Sequence, residues 1–212
     1  MKETYLDMSI PMQSDLPNIP CVILAGGKSR RFGSNKAFAT FHGARLIDVL
    51  IERIERQTSG PISINAIAES GFEKMGRKIL PDRLPGSFGP LAGIHAAMHW
   101  AGKGGYSSVI TTPVDTPILP ARFVEKLVAT GAPATAIFND RVHAVHGIWP
   151  TSLEDVLAEA VTDGMRAARD WTAECEASLC EFRAEDGLDP FFNINTPEDL
   201  QMLENAQPVS PR

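Results

Sequence analysis

Cysteine is scarce in this chain of 212 residues, which contains only Cys21, Cys175 and Cys180. Three cysteines are too few for a disulfide framework, and Cys175 and Cys180 lack the partnering Cys/His pair that a zinc site needs. There is also no apolar run long enough to span a membrane, and no apolar signal-peptide segment follows Lys2. These absences predict a cytoplasmic protein without a membrane anchor.

An excess of positive charge is missing as well. The chain has 20 Lys and Arg against 26 Asp and Glu, which gives a net charge of −6. This balance argues against a general nucleic-acid binder and means that a polyanionic ligand needs a local cationic site. The proportions of hydrophobic residues (43%) and charged residues (22%) are those of an ordinary globular protein, and the length allows a sizeable core.

Several familiar motifs are absent. Gly26-Gly27-Lys28-Ser29 lacks the upstream glycine of a P-loop, and the dinucleotide-binding pattern Gly-x-Gly-x-x-Gly does not occur. His95 and His99 share a predicted helix face, but Ala96 stands where a zincin motif requires Glu, so we expect a solvated or packed pair. No repeat of 20–50 residues is present, which argues against a solenoid.

What the chain does have is a basic, glycine-rich segment directly after an apolar run. Residues 19–25 have the pattern of a buried strand, and Gly26 and Gly27 follow it. Four cations then stand within nine positions: Lys28, Arg30, Arg31 and Lys36. Glycines let a backbone approach a ligand, free backbone N–H groups bind anions, and cations pair with phosphate oxygens. The segment predicts a polyphosphate-binding loop, with a strand-to-helix turn and a solvated basic face as the alternative.

The hydrophobic pattern divides the chain into three parts. Residues 1–18 are predicted to be a disordered leader, 19–204 a single domain and 205–212 a flexible tail. The predicted strands are 19–25, 38–41, 61–67, 77–80, 106–112, 133–138, 142–149 and 177–182. The predicted helices are 45–57, 72–75, 90–101, 120–130, 151–161, 165–173 and 197–204. Strands alternate with helices over the first 130 residues, which favours an α/β protein: a three-layer αβα sandwich, Rossmann-like, with a mostly parallel central sheet.

Polar residues stand at the ends of several predicted strands. The loop 26–36, Asp82 and Asp115 each follow a strand, and Asn65 lies near the end of its own strand. Parallel sheets bind ligands at the carboxyl ends of their strands, so one sheet edge is expected to gather all four. Asp115, an isolated carboxylate between prolines, suits Mg²⁺, which takes one or two carboxylates plus substrate phosphates. The alternative for Asp115 is a turn residue that caps the helix predicted from residue 120.

Six segments follow one another in an order typical of a known family. They are Leu24-Ala25-Gly26-Gly27-Lys28-Ser29-Arg30-Arg31-Phe32-Gly33 with Lys36, Pro81-Asp82, Gly89-Pro90-Leu91-Ala92-Gly93, Val114-Asp115-Thr116-Pro117, His143-Ala144-Val145-His146-Gly147-Ile148-Trp149 and Asn193-Ile194-Asn195-Thr196-Pro197-Glu198. Over roughly residues 19–204 the chain resembles the nucleotidyltransferases with a Rossmann-like sandwich fold, and within them the molybdenum cofactor guanylyltransferases. It departs from the family at Asn35, where an Asp is usual, and at Ala144, where a Pro is usual.

The resemblance implies an enzyme that transfers GMP from GTP to the terminal phosphate of molybdopterin, releases pyrophosphate and uses Mg²⁺. The implied nucleotide contacts are Leu24, Ala25, Gly26, Gly27, Lys36, Asn65, Asp82, Gly89, Gly93 and Asp115. The implied catalytic groups are Asp115 as the metal ligand, with Lys36 and Arg31 on the phosphates. Asn193 and Asn195 are implied to lie near the metal or the second substrate.

The partners implied are GTP and molybdopterin, with neither nucleic acid nor a membrane, and with transient contacts to proteins that make or accept the molybdenum cofactor. Two alternatives stay open in the same class: a molybdopterin cytidylyltransferase and a sugar-1-phosphate nucleotidyltransferase. A non-catalytic GTP-binding or cofactor-carrier protein is the alternative from another class. Of His143 and His146, one could face the site, although a structural role is expected for both.

Overall fold

The computed structural model describes residues 16–26, 36–67, 70–84, 86, 89–185 and 187–206. The strands within these residues are β1 (Cys21–Leu24), β2 (Thr40–Phe41), β3 (Ala44–Arg45), β4 (Ile62–Asn65), β5 (Lys78–Leu80), β6 (Ser108–Pro113), β7 (Ala134–Phe138), β8 (Arg141–Pro150) and β9 (Ser178–Glu181). The α-helices are α1 (Leu46–Glu55), α2 (Pro90–Lys103), α3 (Phe123–Thr130), α4 (Glu154–Thr162), α5 (Ala168–Glu174) and α6 (Pro197–Ala206). Short 3-10 helices cover Lys36–Phe38, Phe72–Met75 and Thr151–Leu153.

The central sheet has seven strands in the order β5-β4-β1-β6-β8-β7-β9. Neighbours are parallel except for β8, which is antiparallel to both β6 and β7. All strands of this sheet other than β8 therefore end at one common edge. The short strands β2 and β3 form a separate antiparallel pair.

Side chains of β1 alternate between two cores, as the period of two in a strand requires. Cys21 and Ile23 face one core, while Val22 and Leu24 face the other. The first core receives α1 and α3 through Ile47, Leu50, Ile54, Phe123 and Leu127. The second receives α2, α4 and α5 through Leu91, Ile94, Met98, Leu157, Val161 and Trp171. Helices thus cover both faces of a mostly parallel sheet, which confirms the predicted αβα sandwich.

Helix α1 shows why these elements form where they do. Its apolar residues recur at the spacing of one helical face, and Leu46, Leu50 and Ile54 are all buried. Burial of each such side chain contributes about 1.5–3 kcal/mol, so truncation of Leu50 to alanine is expected to cost about 2–5 kcal/mol. The helix packs against the small hairpin and against the turn that begins at Lys36.

Several boundaries differ from the predicted ones. The helix predicted from residue 120 begins at Phe123, because the amide of Phe123 closes a turn onto the Pro120 carbonyl. The helix predicted at 151–161 is a 3-10 turn followed by α4. Helix α6 extends to Ala206, two residues beyond the predicted end, and Thr196 caps it as predicted, since its Oγ1 accepts the amide of Asp199 at 3.2 Å.

The chain enters the domain through a hydrogen-bonded segment before β1. The Pro17 carbonyl accepts Thr58 Oγ1 at 2.8 Å and the Ser59 amide at 3.0 Å. These bonds fasten the last part of the predicted leader to the domain, while residues 1–15 and 207–212 lie outside the described residues. None of the helices that the structure describes is long and apolar enough to cross a membrane.

Candidate functional site

The strand ends that the sequence singled out lie side by side. Leu24 pairs with Asn65 on one side and with Pro113 on the other, so the ends of β1, β4 and β6 are adjacent. Asp115 follows two residues after Pro113, and Asp82 two residues after the end of β5. A polar site therefore lies at the common carboxyl edge of the parallel strands, where α/β sheets bind their ligands.

The centre of this site is an ion pair between Lys36 and Asp115. Lys36 Nζ donates to Asp115 Oδ2 at 2.8 Å and to the Ile194 carbonyl oxygen at 3.0 Å. Asn195 Oδ1 lies further away, at 3.5 Å from the same ammonium. The side chains of Lys36 and Asp115 are only 16% and 19% exposed, so water screens the pair weakly. Lys36 is thus held inside the site and is not part of a solvated basic face.

The second carboxylate oxygen of Asp115 is in a different situation. Oδ1 is buried and has no hydrogen-bond partner among the residues that the structure describes. The alternative role of Asp115 as a helix cap is wrong, because Arg122 occupies the cap position of α3 and no side chain caps that helix. A buried carboxylate oxygen without a donor is costly unless it meets a cation or a donor from a ligand.

A second group of residues surrounds Asn65. Its Nδ2 donates to the Leu80 carbonyl and to Asp82 Oδ1, both at 2.9 Å, while its Oδ1 faces Gly93 of α2. A Cβ on Gly93 would lie 2.5 Å from Asn65 Oδ1, so a larger residue would displace the Asn65 amide. The Asn65 side chain is buried and Asp82 is exposed. The amide therefore orients an accessible carboxylate at the strand edge.

The remaining predicted nucleotide contacts border this group. The Leu24 carbonyl accepts the Val114 amide at 3.1 Å and the Ala25 amide donates to the Asn65 carbonyl at 2.8 Å, so the sheet already uses these backbone groups. Gly26 follows at the exposed end of the strand. Gly89 precedes α2 with φ +59°, a conformation that favours glycine. Gly27 and Arg31 lie outside the described residues, as do the other residues from 27 to 35.

The C-terminal motif contributes its backbone as well as its side chains. The Ile194 amide donates to the Asp115 carbonyl at 2.9 Å, and the Ile194 carbonyl accepts Lys36. The side chains of Asn193 and Asn195 are exposed beside this buried residue. Sequence reasoning missed Ile194, since its contribution is a carbonyl oxygen that any residue carries. The only signal for it was its place between the two asparagines.

The histidines lie outside the ion pair. His95 and His99 pack against Glu154, and His99 Nδ1 lies 2.6 Å from Glu154 Oε1. His143 and His146 are buried, and burial lowers the pKa of His143 and lowers that of His146 well below the ordinary value. Within the described ranges, no group of three or more His, Cys, Asp or Glu side chains is arranged to hold a metal ion.

The fold and the polar strand edge define a nucleotidyltransferase of the α/β class. The sequence model of the MobA-like NTP transferase domain matches residues 21–178. The chain belongs to this family, and to the molybdenum cofactor guanylyltransferases in particular. A protein of that name from Rhizobium meliloti (strain 1021) is 41% identical over 197 residues, 87% of this chain and 90% of the relative. Another, from Rhizobium leguminosarum bv. trifolii, is 40% identical over 193 residues, 86% and 90% of the two chains.

A solved structure has the same fold at lower sequence identity. The molybdopterin-guanine dinucleotide biosynthesis protein A from Archaeoglobus fulgidus superimposes with a TM-score of 0.69 at 23% identity, covering 88% of this chain and 97% of its own. The 2-C-methyl-D-erythritol 4-phosphate cytidylyltransferase from Thermus thermophilus gives a TM-score of 0.61 at 16% identity, covering 87% and 96%. These two likenesses concern the fold alone.

Proposed function

We propose that this chain transfers GMP from GTP to the terminal phosphate of molybdopterin and releases pyrophosphate. Family membership supports the reaction class, and the names of the relatives support the guanylyl group and the acceptor. The observation in this chain that carries the proposal is the Lys36–Asp115 pair at the carboxyl edge of the sheet, with one buried carboxylate oxygen that has no hydrogen-bond partner among the described residues.

Asp115 fits a divalent metal. Mg²⁺ prefers oxygen ligands and is commonly bound by one or two carboxylates together with substrate phosphates, so a single protein carboxylate is sufficient. Oδ1 of Asp115, which has no hydrogen-bond partner among the described residues, would supply that ligand. We therefore assign Mg²⁺ to Asp115, where the bound ion would offset the negative charge of the phosphates.

The reaction needs little acid–base help from the protein. An oxygen of the terminal phosphate of the pterin attacks the α-phosphorus of GTP, and a new P–O bond forms. The bond from the α-phosphorus to the bridging oxygen breaks, and pyrophosphate leaves with the electron pair. Because the attacking phosphate is already ionised at neutral pH, no general base is required. The task of the site is to hold two polyanions in line, which rests on positioning and charge stabilisation.

The residues of this chain divide that task. Lys36 lies within reach of phosphates that approach Asp115, and its contacts with Ile194 and Asn195 hold its ammonium at the site. Arg31 is assigned to the same phosphates by the family resemblance, which also makes Gly27 a nucleotide contact. Asn193 and Asn195 are assigned to the second substrate, since they are exposed next to the Lys36–Asp115 pair. Gly26, Gly89 and Gly93 border the nucleotide.

Asp82 is the group that we assign to guanine. Guanine presents two adjacent donors, N1–H and the 2-amino group, and an ionised carboxylate accepts both. Adenine and cytosine present no such pair of donors on that edge. Asn65 donates to Asp82 Oδ1 at 2.9 Å and so fixes the orientation of the carboxylate. This contact supports guanine over cytosine as the base.

The decisive assay measures pyrophosphate release with GTP, Mg²⁺ and molybdopterin together. The wild-type protein should release pyrophosphate only when all three are present, and Asp115→Asn should lower kcat by about 100-fold or more, since a charge-stabilising group is lost. Asp155→Asn is the matched control, because Asp155 is an exposed carboxylate on α4. Near-normal turnover in Asp115→Asn would refute the metal assignment, and GTP binding without pyrophosphate would indicate a carrier protein.

Base selectivity has its own test. Wild-type turnover with GTP should exceed turnover with CTP and UTP, and Asp82→Asn should lower kcat/KM for GTP by about 10-fold to 100-fold through lost hydrogen bonds to a charged acceptor. A preference for CTP or UTP in the wild type would instead indicate a cytidylyltransferase or a sugar-1-phosphate enzyme. We also propose that residues 19–204 form one catalytic domain and that the product passes to proteins that use the cofactor.

A further inference from the structure

The motif from His143 to Trp149 contains a β-bulge. Between Thr135 and Ala136 of β7, the paired residue on β8 changes from Gly147 to His143, so residues 144–146 are left outside the ladder. Thr135 Oγ1 lies 3.1 Å from the His143 carbonyl and 3.3 Å from the His146 carbonyl, and Thr111 Oγ1 donates to the Val145 carbonyl at 2.8 Å. Bulges of this kind redirect side chains and occur frequently beside active sites.

Gly147 and Trp149 keep the bulge in place. A Cβ on Gly147 would lie 2.6 Å from the Ala134 carbonyl oxygen and 2.6 Å from Trp149 Cζ2, so the strand can approach β7 closely only with glycine here. Trp149 Nε1 donates to Thr111 Oγ1 at 2.8 Å inside the core. These contacts fix the backbone after His146, and the bond from Thr111 Oγ1 to the Val145 carbonyl fixes it before His146.

The bulge directs His146 to two segments beside the ion pair, the one that carries Asp115 and the one that leads to Ile194. His146 Nε2 lies 2.8 Å from Oγ1 of Thr116, the residue after Asp115. The imidazole ring also packs on Phe191, with ring centroids 4.7 Å apart at 63°. Phe191 stands three residues before Ile194, whose backbone binds both Lys36 and Asp115. His146 is only 4% exposed, so it contacts these segments without water between them.

We propose that His146 is a positioning residue for the transfer reaction, which places Asp115 through Thr116 and the C-terminal motif through Phe191. The inference rests on the proposed function, in which Asp115 is the metal ligand. His146 itself touches no substrate. The hydroxyl of Thr116 is shared between the imidazole and the Pro113 carbonyl at 3.1 Å, so it ties the turn before Asp115 to the bulge. This positioning role gives a function to the segment from His143 to Trp149, which contains none of the assigned nucleotide contacts.

The experiment uses two pairs of variants in the full-length protein. Thr116→Val removes the hydroxyl at nearly constant shape, and Thr116→Ser keeps it. His146→Leu removes the polar nitrogen, and His146→Gln keeps a hydrogen-bonding group near the position of Nε2. For each variant we would measure the melting temperature, kcat and KM for GTP well below that temperature, and the dissociation constant of Mn²⁺ without nucleotide. Val161→Ala, in the buried face of α4 away from the site, controls for lost stability alone.

Thr116→Val and His146→Leu should lower kcat by about 10-fold or more and weaken Mn²⁺ binding, while Thr116→Ser and His146→Gln should stay within about threefold of the wild type. Val161→Ala should lower the melting temperature but leave both quantities unchanged. The inference is overturned if Thr116→Val keeps wild-type kcat and Mn²⁺ affinity, or if the serine variant is as impaired as the valine variant.

Failure of the proposed function gives a different result. If Asp115→Asn binds Mn²⁺ as tightly as the wild type does, Asp115 is not the metal ligand, whatever the His146 variants show. If Asp115→Asn abolishes Mn²⁺ binding while Thr116→Val leaves it intact, the metal assignment survives and the role of His146 is rejected. The Mn²⁺ measurement decides both questions without requiring turnover.

Discussion

The ammonium of Lys36 lies 2.8 Å from a carboxylate oxygen of Asp115, although 79 positions separate the two residues in the chain. The positive charge that balances Asp115 is therefore the protein's own side chain. A divalent cation that binds Asp115 has to compete with this charge. Nucleotide phosphates relieve the competition, because they offer the ammonium new anionic partners close by.

Lys36→Met should consequently strengthen metal binding in the absence of nucleotide. We expect the dissociation constant of Mn²⁺ to fall by about threefold to tenfold, since a nearby like charge is removed from a poorly screened site. The same variant should bind GTP more weakly, because the phosphates lose a cation. Electron paramagnetic resonance of free Mn²⁺ and calorimetry with GTP measure the two effects.

Lys126→Met is the control for this prediction. Lys126 is a half-buried lysine of α3 whose ammonium donates to the Glu181 carbonyl, so its loss removes a charge at a different place. The Lys126→Met variant should bind Mn²⁺ with the same affinity as the wild type. Weaker Mn²⁺ binding in Lys36→Met would show that the lysine supports the cation and does not compete with it.

Gly93→Ala should disturb the site through Asn65. The new Cβ would lie 2.5 Å from Asn65 Oδ1 and 3.1 Å from Leu24 Cδ2, so the amide has to move and its bond to Asp82 is strained or lost. We expect a loss of stability of about 1–3 kcal/mol from overpacking and a clear rise in KM for GTP. Urea unfolding and steady-state kinetics measure these effects.

Gly102→Ala is a matched substitution in the same helix. A Cβ there would lie 3.4 Å from Thr151 Cβ, which is ordinary contact. The higher helix propensity of alanine should leave stability unchanged or raise it by up to about 1 kcal/mol, with wild-type KM. If Gly93→Ala behaves like Gly102→Ala, Asn65 does not control the nucleotide site.

Asp199→Ala should loosen the C-terminal motif. Asp199 Oδ2 accepts the amides of Asn195 at 2.8 Å and Thr196 at 2.9 Å, and Thr196 Oγ1 accepts the Asp199 amide in return. Loss of this reciprocal cap should cost about 1 kcal/mol and speed hydrogen exchange of the Asn195 and Thr196 amides. Glu198→Ala removes an equal charge from the same helical turn without those bonds, and equal exchange rates in both variants would contradict the prediction.

Stability should fall in mildly acidic solution. Burial lowers the pKa of His95, His143 and His146 from the ordinary value of 6.5, so these side chains take up protons at a lower pH in the folded protein than in the unfolded chain. Below about pH 6.5 the unfolded chain binds more protons than the folded one, and the free energy of unfolding decreases as the pH falls. Above about pH 7 these histidines are neutral in both states, and their contribution to the free energy of unfolding no longer changes with pH. Urea unfolding between pH 7.5 and 5.5 measures the decline.

His95→Leu tests the source of this pH dependence, because it removes one buried imidazole from the contact of α2 with Glu154. The free energy of unfolding of His95→Leu should decrease less between pH 7.5 and 5.5 than that of the wild type does. His42→Asn, at an exposed turn position with φ +48° that asparagine tolerates, should follow the wild-type slope. If the free energy of unfolding falls equally steeply with pH in all three proteins, the buried histidines do not govern stability in acid.

Much of the architecture could be read from the sequence because its signals are local. The apolar spacing that predicts α1 and the apolar run that ends before Asp115 each lie within about a dozen residues. Strand ends predicted in this way place Asn65, Asp82 and Asp115 at one sheet edge. The contact of Gly93 with Asn65 is not local in this sense. It joins a helix to a strand 28 positions earlier and leaves no periodic pattern.

The bulge before Gly147 could not be predicted from the sequence either. It depends on hydroxyls of Thr111 and Thr135 on neighbouring strands, whose pairing with β8 is known only once the sheet is assembled. The histidines of that motif could therefore be found as a pattern, but the connection from His146 to Thr116 could not. Backbone groups such as the Ile194 carbonyl carry no signal in side-chain identity at all.

The hydrogen bond from Lys36 to Ile194 spans 158 positions, so its donor is synthesised well before its acceptor. At a synthesis rate of about 5–20 residues per second, on the order of ten seconds pass between the emergence of these two residues from the ribosome. During that interval Asp115 is already present, but the Ile194 carbonyl that accepts the second hydrogen bond of the ammonium is not. The complete site therefore cannot form before Ile194 has been synthesised.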